Sequence, residues 1–288
     1  RHDVLVADQL SHNSIDEGLK IAKARGVRTA KFAHNDPTVL EQVLRGLRPY
    51  RFALIAVDGV YSMSGAVPPL AEFRRIALEN DAVLYVDDAH GTGVLGQQGR
   101  GTVRDALGNY DNTLVVGSLS KALSCLGGFL ACTWQVREVL KLRSNPLIFG
   151  GPVPPPYLEA VCVAIDILAS PEYDQLRGKL DANVRQLVTG ATELGLAVLG
   201  GLVPIVSVLV GTEEATLRAG RFLFEHGYYV QSVIFPAVPR GSGVLRIQVN
   251  ANHDPAQIDG LLIALDGLKR AIVLPEPGPD LLGVPTAA

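Results

Sequence analysis

Short apolar runs alternate with stretches of helical spacing along the first half of the chain. Runs at residues 3–7, 53–57, 82–86, 113–117 and 128–132 have the length and the aliphatic content of strands. Between the first two, Asp36 and Pro37 make an N-cap and first-turn pair, and Leu40, Val43, Leu44 and Leu47 then share one helical face. A second helical segment starts at Pro69 and turns Leu70, Phe73 and Ala77 inward. Strands that alternate with helices predict βαβ units, hence an α/β fold with a mostly parallel sheet in a three-layer αβα arrangement.

The pattern changes at residues 145–156, where Pro and Gly predict a crossing loop. Helices are expected at about 157–169 and 173–195, then strands at 204–210 and 244–249 and helices at about 213–226 and 255–271. The predicted organisation is a large domain over 1–170, a smaller C-terminal α+β domain over 171–274, and a Pro- and Gly-rich tail over 275–288, disordered or draped. The chain opens on Arg1 and runs straight into the first predicted strand, so an N-terminal part of a longer parent protein is expected to be absent.

Composition narrows the function classes. With 288 residues, 48% hydrophobic and 19% charged, the chain can bury a real core and is not of disordered composition. A net charge of −3 gives no reason to expect nucleic acid or an anionic membrane surface as partner. No apolar run reaches the length of a membrane span, and no signal-peptide pattern is present. Cys125, Cys132 and Cys162 are odd in number and form no CxxC pair, which suits a reduced, cytoplasmic location.

Two segments carry candidate chemistry. The first is Ser118-Leu119-Ser120-Lys121-Ala122 followed by Gly127-Gly128, which puts a lysine behind an apolar strand and among small residues. Such a lysine either snorkels to water or serves as the amine that forms a Schiff base with an aldehyde cofactor. The second is Val83-Leu84-Tyr85-Val86-Asp87-Asp88-Ala89-His90-Gly91, where a strand delivers an acidic pair and a histidine at its carboxyl end. Ligands of open α/β sheets bind at that end. Asp87 there can keep a pyridine nitrogen protonated, and His90 can reach another polar edge of the ring. The same residues could instead ligate a metal or cap the next turn, although no second Asp/His cluster completes a metal shell, and none is expected. Gly91-Thr92-Gly93-Val94-Leu95-Gly96 matches G-x-G-x-x-G, yet Gln97-Gln98-Gly99-Arg100-Gly101 does not propagate the helix a dinucleotide site needs. That reading is rejected.

These segments do not stand alone. Asp8-x-x-x-His12-x-Ser14-x-x-x-Gly18, Phe32-x-His34-Asn35-Asp36, Asp58-Gly59-Val60-Tyr61-Ser62-Met63-x-Gly65, Asp87-x-x-His90-Gly91-x-Gly93-Val94-Leu95-Gly96-x-x-Gly99-Arg100-Gly101, Ser120-Lys121-Ala122 with Gly127-Gly128, and Leu245-Arg246-Ile247 with His253 follow one another. Together, over about residues 1–272, they resemble the α-oxoamine synthase family of fold-type-I pyridoxal-phosphate enzymes.

The resemblance implies roles for particular residues. Lys121 would hold pyridoxal 5'-phosphate as a Schiff base, Asp87 would pair with the ring nitrogen and His90 would contact the phenolic oxygen. Ser62 would lie beside the ring, Ser118 near the phosphate, and Arg246 would grip the substrate carboxylate. The implied reaction is decarboxylative Claisen-type condensation of an amino acid with an acyl thioester, on coenzyme A or a carrier protein, giving an α-amino ketone. A homodimer is the implied assembly. Another fold-type-I activity (an aminotransferase or lyase) and a non-catalytic family subunit remain as alternatives. The sequence also departs from the family pattern. The usual N-terminal glycine-rich turn and the aromatic residue that stacks on the cofactor have no counterpart, and Gly150-Gly151 replaces small hydroxyl residues.

Overall fold

Five strands of the first half are sorted by the period-two alternation of their side chains, which feeds two separate apolar layers. In the computed structural model, which describes residues 3–277, 280–281 and 284–285, the first thirteen elements are β1 (Val4–Asp8), α1 (Asn13–Ala24), β2 (Arg28–Phe32), α2 (Pro37–Gly46), β3 (Ala53–Asp58), α3 (Leu70–Glu79), β4 (Ala82–Asp87), α4 (Gly101–Leu107), β5 (Thr113–Ser118), β6 (Gly128–Ala131), α5 (Trp134–Arg143), α6 (Asn145–Phe149) and α7 (Pro155–Leu168). Val4 and Val6 of β1, Ile55 and Val57 of β3, and Leu84 and Val86 of β4 pack with Leu40 and Leu44 of α2 and Phe73 and Ile76 of α3. The intervening residues Leu5, Ala7, Ala56 and Tyr85 pack on the other face with Ile15 and Leu19 of α1. This gives the three layers.

The strands run in the order β2-β1-β3-β4-β5-β6. All neighbours are parallel except β5 and β6, which are antiparallel. The sequence order reverses between β1 and β3, and at such a switch point the strand carboxyl ends open a crevice for ligands. β2 has no apolar run and went unpredicted: it is an edge strand, and its exposed Lys31 pairs with Asp16 at 2.6 Å. The predicted loop over 145–156 contains α6 and the start of α7, because Pro146 and Pro155 both stand in first helical turns, where proline's missing N–H costs nothing.

The rest of the chain is a second unit built from α8 (Pro171–Glu193), β7 (Val198–Leu199), β8 (Ile205–Gly211), α9 (Glu213–Glu225), β9 (Gln231–Val233), β10 (Gly243–Gln248) and α10 (Pro255–Ala271). Its antiparallel sheet has the order β7-β8-β10-β9. One face, with Val206, Val208, Leu245 and Ile247, packs on Leu187 and Ala191 of α8, Leu223 of α9 and Leu265 of α10. By compactness the boundary falls after Tyr173, and Tyr61–Val67, from between β3 and α3, clusters with this second unit. A contiguous division cannot express that excursion. It is anchored by the Ser207 hydroxyl, which donates to the Met63 carbonyl at 2.6 Å.

Asp280–Leu281 and Val284–Pro285 form a short antiparallel pair. The rest of the predicted tail beyond Pro277, like Arg1, lies outside the described residues. Among the described residues, no helix is long and apolar enough to cross a membrane.

Candidate active site

Three neighbouring strands of the first sheet end in aspartate: β1 in Asp8, β3 in Asp58 and β4 in Asp87, with Asp58 and Asp87 in register. Asp8 is fully buried and serves as a lock for its surroundings. Its carboxylate accepts from the Leu10 and Asn35 N–H groups, each at 2.8 Å, and its Oδ1 lies 3.0 Å from His34 Nδ1. Asp58 accepts the His12 backbone N–H with both oxygens, at 3.0 and 3.1 Å. Burial pushes its carboxyl up to about 8; the His12 N–H and the Lys121 charge oppose this, while Asp87 and Asp8 add to it. His12 itself caps α1 through Nδ1, which accepts from Ser14 N–H at 3.2 Å, and its ring is exposed.

Asp87 is half-buried, with Oδ1 accepting the Ala89 N–H at 3.2 Å. The turn that follows carries His90, also half-buried. Asp88 faces the other way, into the protein, and its N–H donates to Val116 of β5 at 2.8 Å.

Lys121 is exposed, three residues past the end of β5. The loop that carries it is closed by Leu119 N–H donating to Gly127 O at 3.0 Å and Cys125 N–H to Leu119 O at 2.7 Å. Leu119 and Leu123 anchor the loop against Val161 of α7. Ser118 Oγ accepts the Ser120 N–H at 3.2 Å and lies 2.8 Å from Ser120 Oγ. The turn after His90 abuts this loop, since a Cβ added at Gly93 would stand 2.7 Å from the Ala122 side chain. Lys121, Asp87, His90 and Ser118 are therefore carried on adjacent carboxyl-end segments of one sheet.

Ser62 and Arg246 belong to the second unit, where they are joined directly. Arg246 sits on an inner strand and is only 7% exposed. Its Nε donates to the Ser62 backbone oxygen at 2.6 Å and its Nη1 to Gln231 Oε1 at 3.4 Å, and burial lowers its pKa. It lines a cavity of about 540 Å³ with Tyr228, Gln231, Gln248 and His253. Sequence reasoning noted Asp8, His12, His34 and Asp58 as motif positions but assigned them no role. Asp88 entered only as an alternative metal ligand or cap of the next turn, and Gln231 had no assignment. The signal available for the carboxylates was the recurrence of aspartate at the ends of apolar runs.

This donor set fits pyridoxal phosphate. The strand ends concentrate carboxyl groups, and the Lys121 charge acts on that of Asp58. A protonated pyridine nitrogen at Asp87 would be attracted to these carboxyl groups, and at Gly93 the turn after His90 meets the Ala122 side chain of the Lys121 loop with bare backbone.

Comparison with known proteins agrees. A family model described as aminotransferase class I and II matches residues 1–265. A putative 8-amino-7-oxononanoate synthase of Desulforudis audaxviator is 42% identical over 265 residues, 92% of this chain and 67% of that protein. The 8-amino-7-oxononanoate synthase of Alkaliphilus oremlandii is 38% identical, over 89% of this chain and 64% of its own length. Among solved structures, Sphingomonas wittichii serine palmitoyltransferase superposes with a TM-score of 0.87 at 29% identity, covering 96% of this chain and 68% of that one. The S. paucimobilis serine palmitoyltransferase structure with a PLP-myriocin adduct gives 0.85 at 29%, over 93% and 67%. The chain thus spans about two thirds of the length of the relatives it matches. With a sheet that ends in the Asp87 and Lys121 segments and relatives of this kind, the chain belongs to the aminotransferase class I and II family, in its α-oxoamine synthase group of pyridoxal-phosphate-dependent, fold-type-I enzymes, whose reaction is the decarboxylative condensation of an amino acid with an acyl thioester.

Proposed function

We propose that the protein carries out this condensation with alanine and a seven-carbon dicarboxylic acyl thioester. The name of its relatives supports that choice. In 8-amino-7-oxononanoate the terminal methyl and the amine-bearing carbon have the skeleton of alanine without its carboxyl, and the remaining seven carbons, ketone included, come from the acyl donor. The serine palmitoyltransferase neighbours, at 29% identity, favour serine with a long-chain acyl thioester as the second reading.

The observation that carries the proposal is the placement of Lys121 on a closed loop beside the Asp58 and Asp87 strand ends. When bound, the cofactor supplies an electron sink for the pair left on Cα. Lys121 is the amine that would hold the cofactor through its aldehyde, and its free Nζ would serve as the base for the substrate Cα proton. The Asp87 carboxylate would pair with the ring nitrogen and keep it protonated. His90 would contact the phenolic oxygen, and the Ser118 hydroxyl would lie near the phosphate. Arg246, oriented by the Ser62 carbonyl and Gln231, holds the substrate carboxylate; a guanidinium suits that paired contact better than an ammonium. Ser62 then acts through its backbone oxygen as well as its position.

A homodimer in the cytoplasm completes the proposal. Leu142, Leu147 and Phe149 of α5 and α6 are at least 60% exposed, and Ile165 and Val163 of α7 are exposed as well, an apolar surface that a second copy would cover. The free cysteines suit a reducing compartment.

Mixing purified protein with pyridoxal phosphate, alanine and the dicarboxylic acyl thioester should release carbon dioxide, the free thiol of the acyl carrier and an α-amino ketone. Lys121→Ala should abolish the visible absorbance of the bound cofactor and the product together. A keto acid in place of the ketone would assign an aminotransferase. A Lys121→Ala protein that kept the absorbance would overturn the role of this lysine.

A further inference from the structure

The turn that carries Asp87 and His90 is held by a side chain the reaction does not use. Asp88, 1% exposed, accepts the Thr102 hydroxyl on Oδ1 at 2.6 Å and the Thr102 N–H on Oδ2 at 3.0 Å. Its backbone completes the clamp, for its carbonyl accepts from Gly91 N–H at 3.1 Å and Thr92 N–H at 2.9 Å. Three segments converge on the carboxyl as bare backbone: at Gly59, Gly91 and Gly101 an added Cβ would strike the Asp88 oxygens. Gly59 follows Asp58, Gly91 follows His90, and Gly101 begins α4. The carboxyl thus fills a recess that only glycines on three sides leave open.

We infer that Asp88 is a positioning residue, which fixes the Asp87–His90 turn against Thr102 and so sets the two side chains that face the cofactor ring. This rests on the reading of Asp87 and His90 given above. The geometry requires a planar group with an acceptor for the Thr102 N–H and a partner for its hydroxyl, and it does not require a charge. Asparagine meets that need, with its carbonyl on the N–H and its amide donating to the hydroxyl. Burial beside Asp87 already pushes the Asp88 carboxyl up to about 7, so the charge is only weakly held at neutral pH.

The test compares wild type with Asp88→Asn, Asp88→Ala and Thr102→Val. Pyridoxal phosphate binding is titrated, the visible absorbance of the bound cofactor is followed against pH, and amide hydrogen exchange is read at Gly91, Thr92 and Thr102. Asp88→Ala should weaken cofactor binding by about tenfold or more, the scale of a lost hydrogen bond to a charged group. It should also move the pH at which the absorbance changes and expose those three amides, while the amides of β1 and β3 stay protected. Asp88→Asn should restore all three readouts. Thr102→Val should change them in the same direction by less, and it carries the test should Asp88→Ala fail to fold. A folded Asp88→Ala protein with wild-type affinity, pH profile and exchange would overturn the inference, as would an Asp88→Asn protein as impaired as Asp88→Ala. Wild-type protein that bound no pyridoxal phosphate would instead count against the functional reading, and the exchange arm would still decide whether Asp88 clamps the turn.

Discussion

At the scale of single residues, consecutive or paired aspartates take different tasks because their surroundings differ. Asp87 stays half-open at the strand end, Asp88 is sealed under Thr102, and Asp58 is buried against the His12 N–H. Asp58 has a consequence for stability. Its carboxyl rises from 3.8 in the unfolded range to about 8 in the fold, so the folded protein binds the extra proton between those values. Stability from this group is therefore complete below about pH 4 and is lost as pH rises through about 8. Asp58→Asn removes that dependence and keeps an oxygen for the His12 N–H. Thermal unfolding at pH 5, 7 and 9 should show the variant gaining on wild type as pH rises, by at least a few degrees (about 4 °C or more) at pH 9. A constant difference across that range would show that Asp58 is not the buried acid described here. Asp87 and His90 were legible as candidates because a strand ending in Asp-Asp-Ala-His is unusual among apolar runs. The burial of Asp88 was not legible, because it depends on glycines that are 29 residues before and 13 residues after it in the sequence (Gly59 and Gly101).

At the scale of elements, local chemistry was most readable where a helix announces its own start. Asp36 caps α2 by accepting the Val39 N–H at 2.9 Å, and Leu40 and Leu44 are buried as their spacing requires. Asp254 caps α10 through a capping box with Gln257, whose side chain accepts the Asp254 N–H at 2.9 Å. Asp254→Ala should cost about 1 kcal/mol, lowering Tm by about 2–4 °C. Cofactor affinity should not change, and calorimetry beside a cofactor titration would check both. Elements whose formation depends on neighbours were less readable. β2 (Arg28-Thr29-Ala30-Lys31-Phe32) has no apolar run and exists because β1 offers it a parallel partner. β9 has three residues and exists because β10 pairs with it. Lys121 belongs here too: its exposure agrees with either sequence reading, and what places it is the loop closed at Gly127.

For the whole molecule, the homodimer proposal rests on exposed apolar surface. Phe149 is 82% exposed and Leu142 77%, and α7 buries only Val161 although its sequence is mostly apolar. If a second copy covers this surface, sedimentation should give a dimer at micromolar concentration. Leu142→Glu with Phe149→Glu should give monomers that keep the far-ultraviolet signal of the folded chain. A monomeric wild type would sink the homodimer and leave the surface to another partner.

By itself the sequence determined the α/β class and most core helices and strands, and it named the candidate reactive groups. Hydrophobic periodicity and end-capping are local, and chemistry-bearing residue types are visible wherever they fall. Tertiary structure decided what those groups experience. It joined Arg246 to the carbonyl of Ser62 from 184 positions away, raised Asp58 among neighbouring strand ends, and sealed Asp88 between three glycines. Burial, register and close approach are properties of segments that meet only in the fold, and no local pattern encodes them.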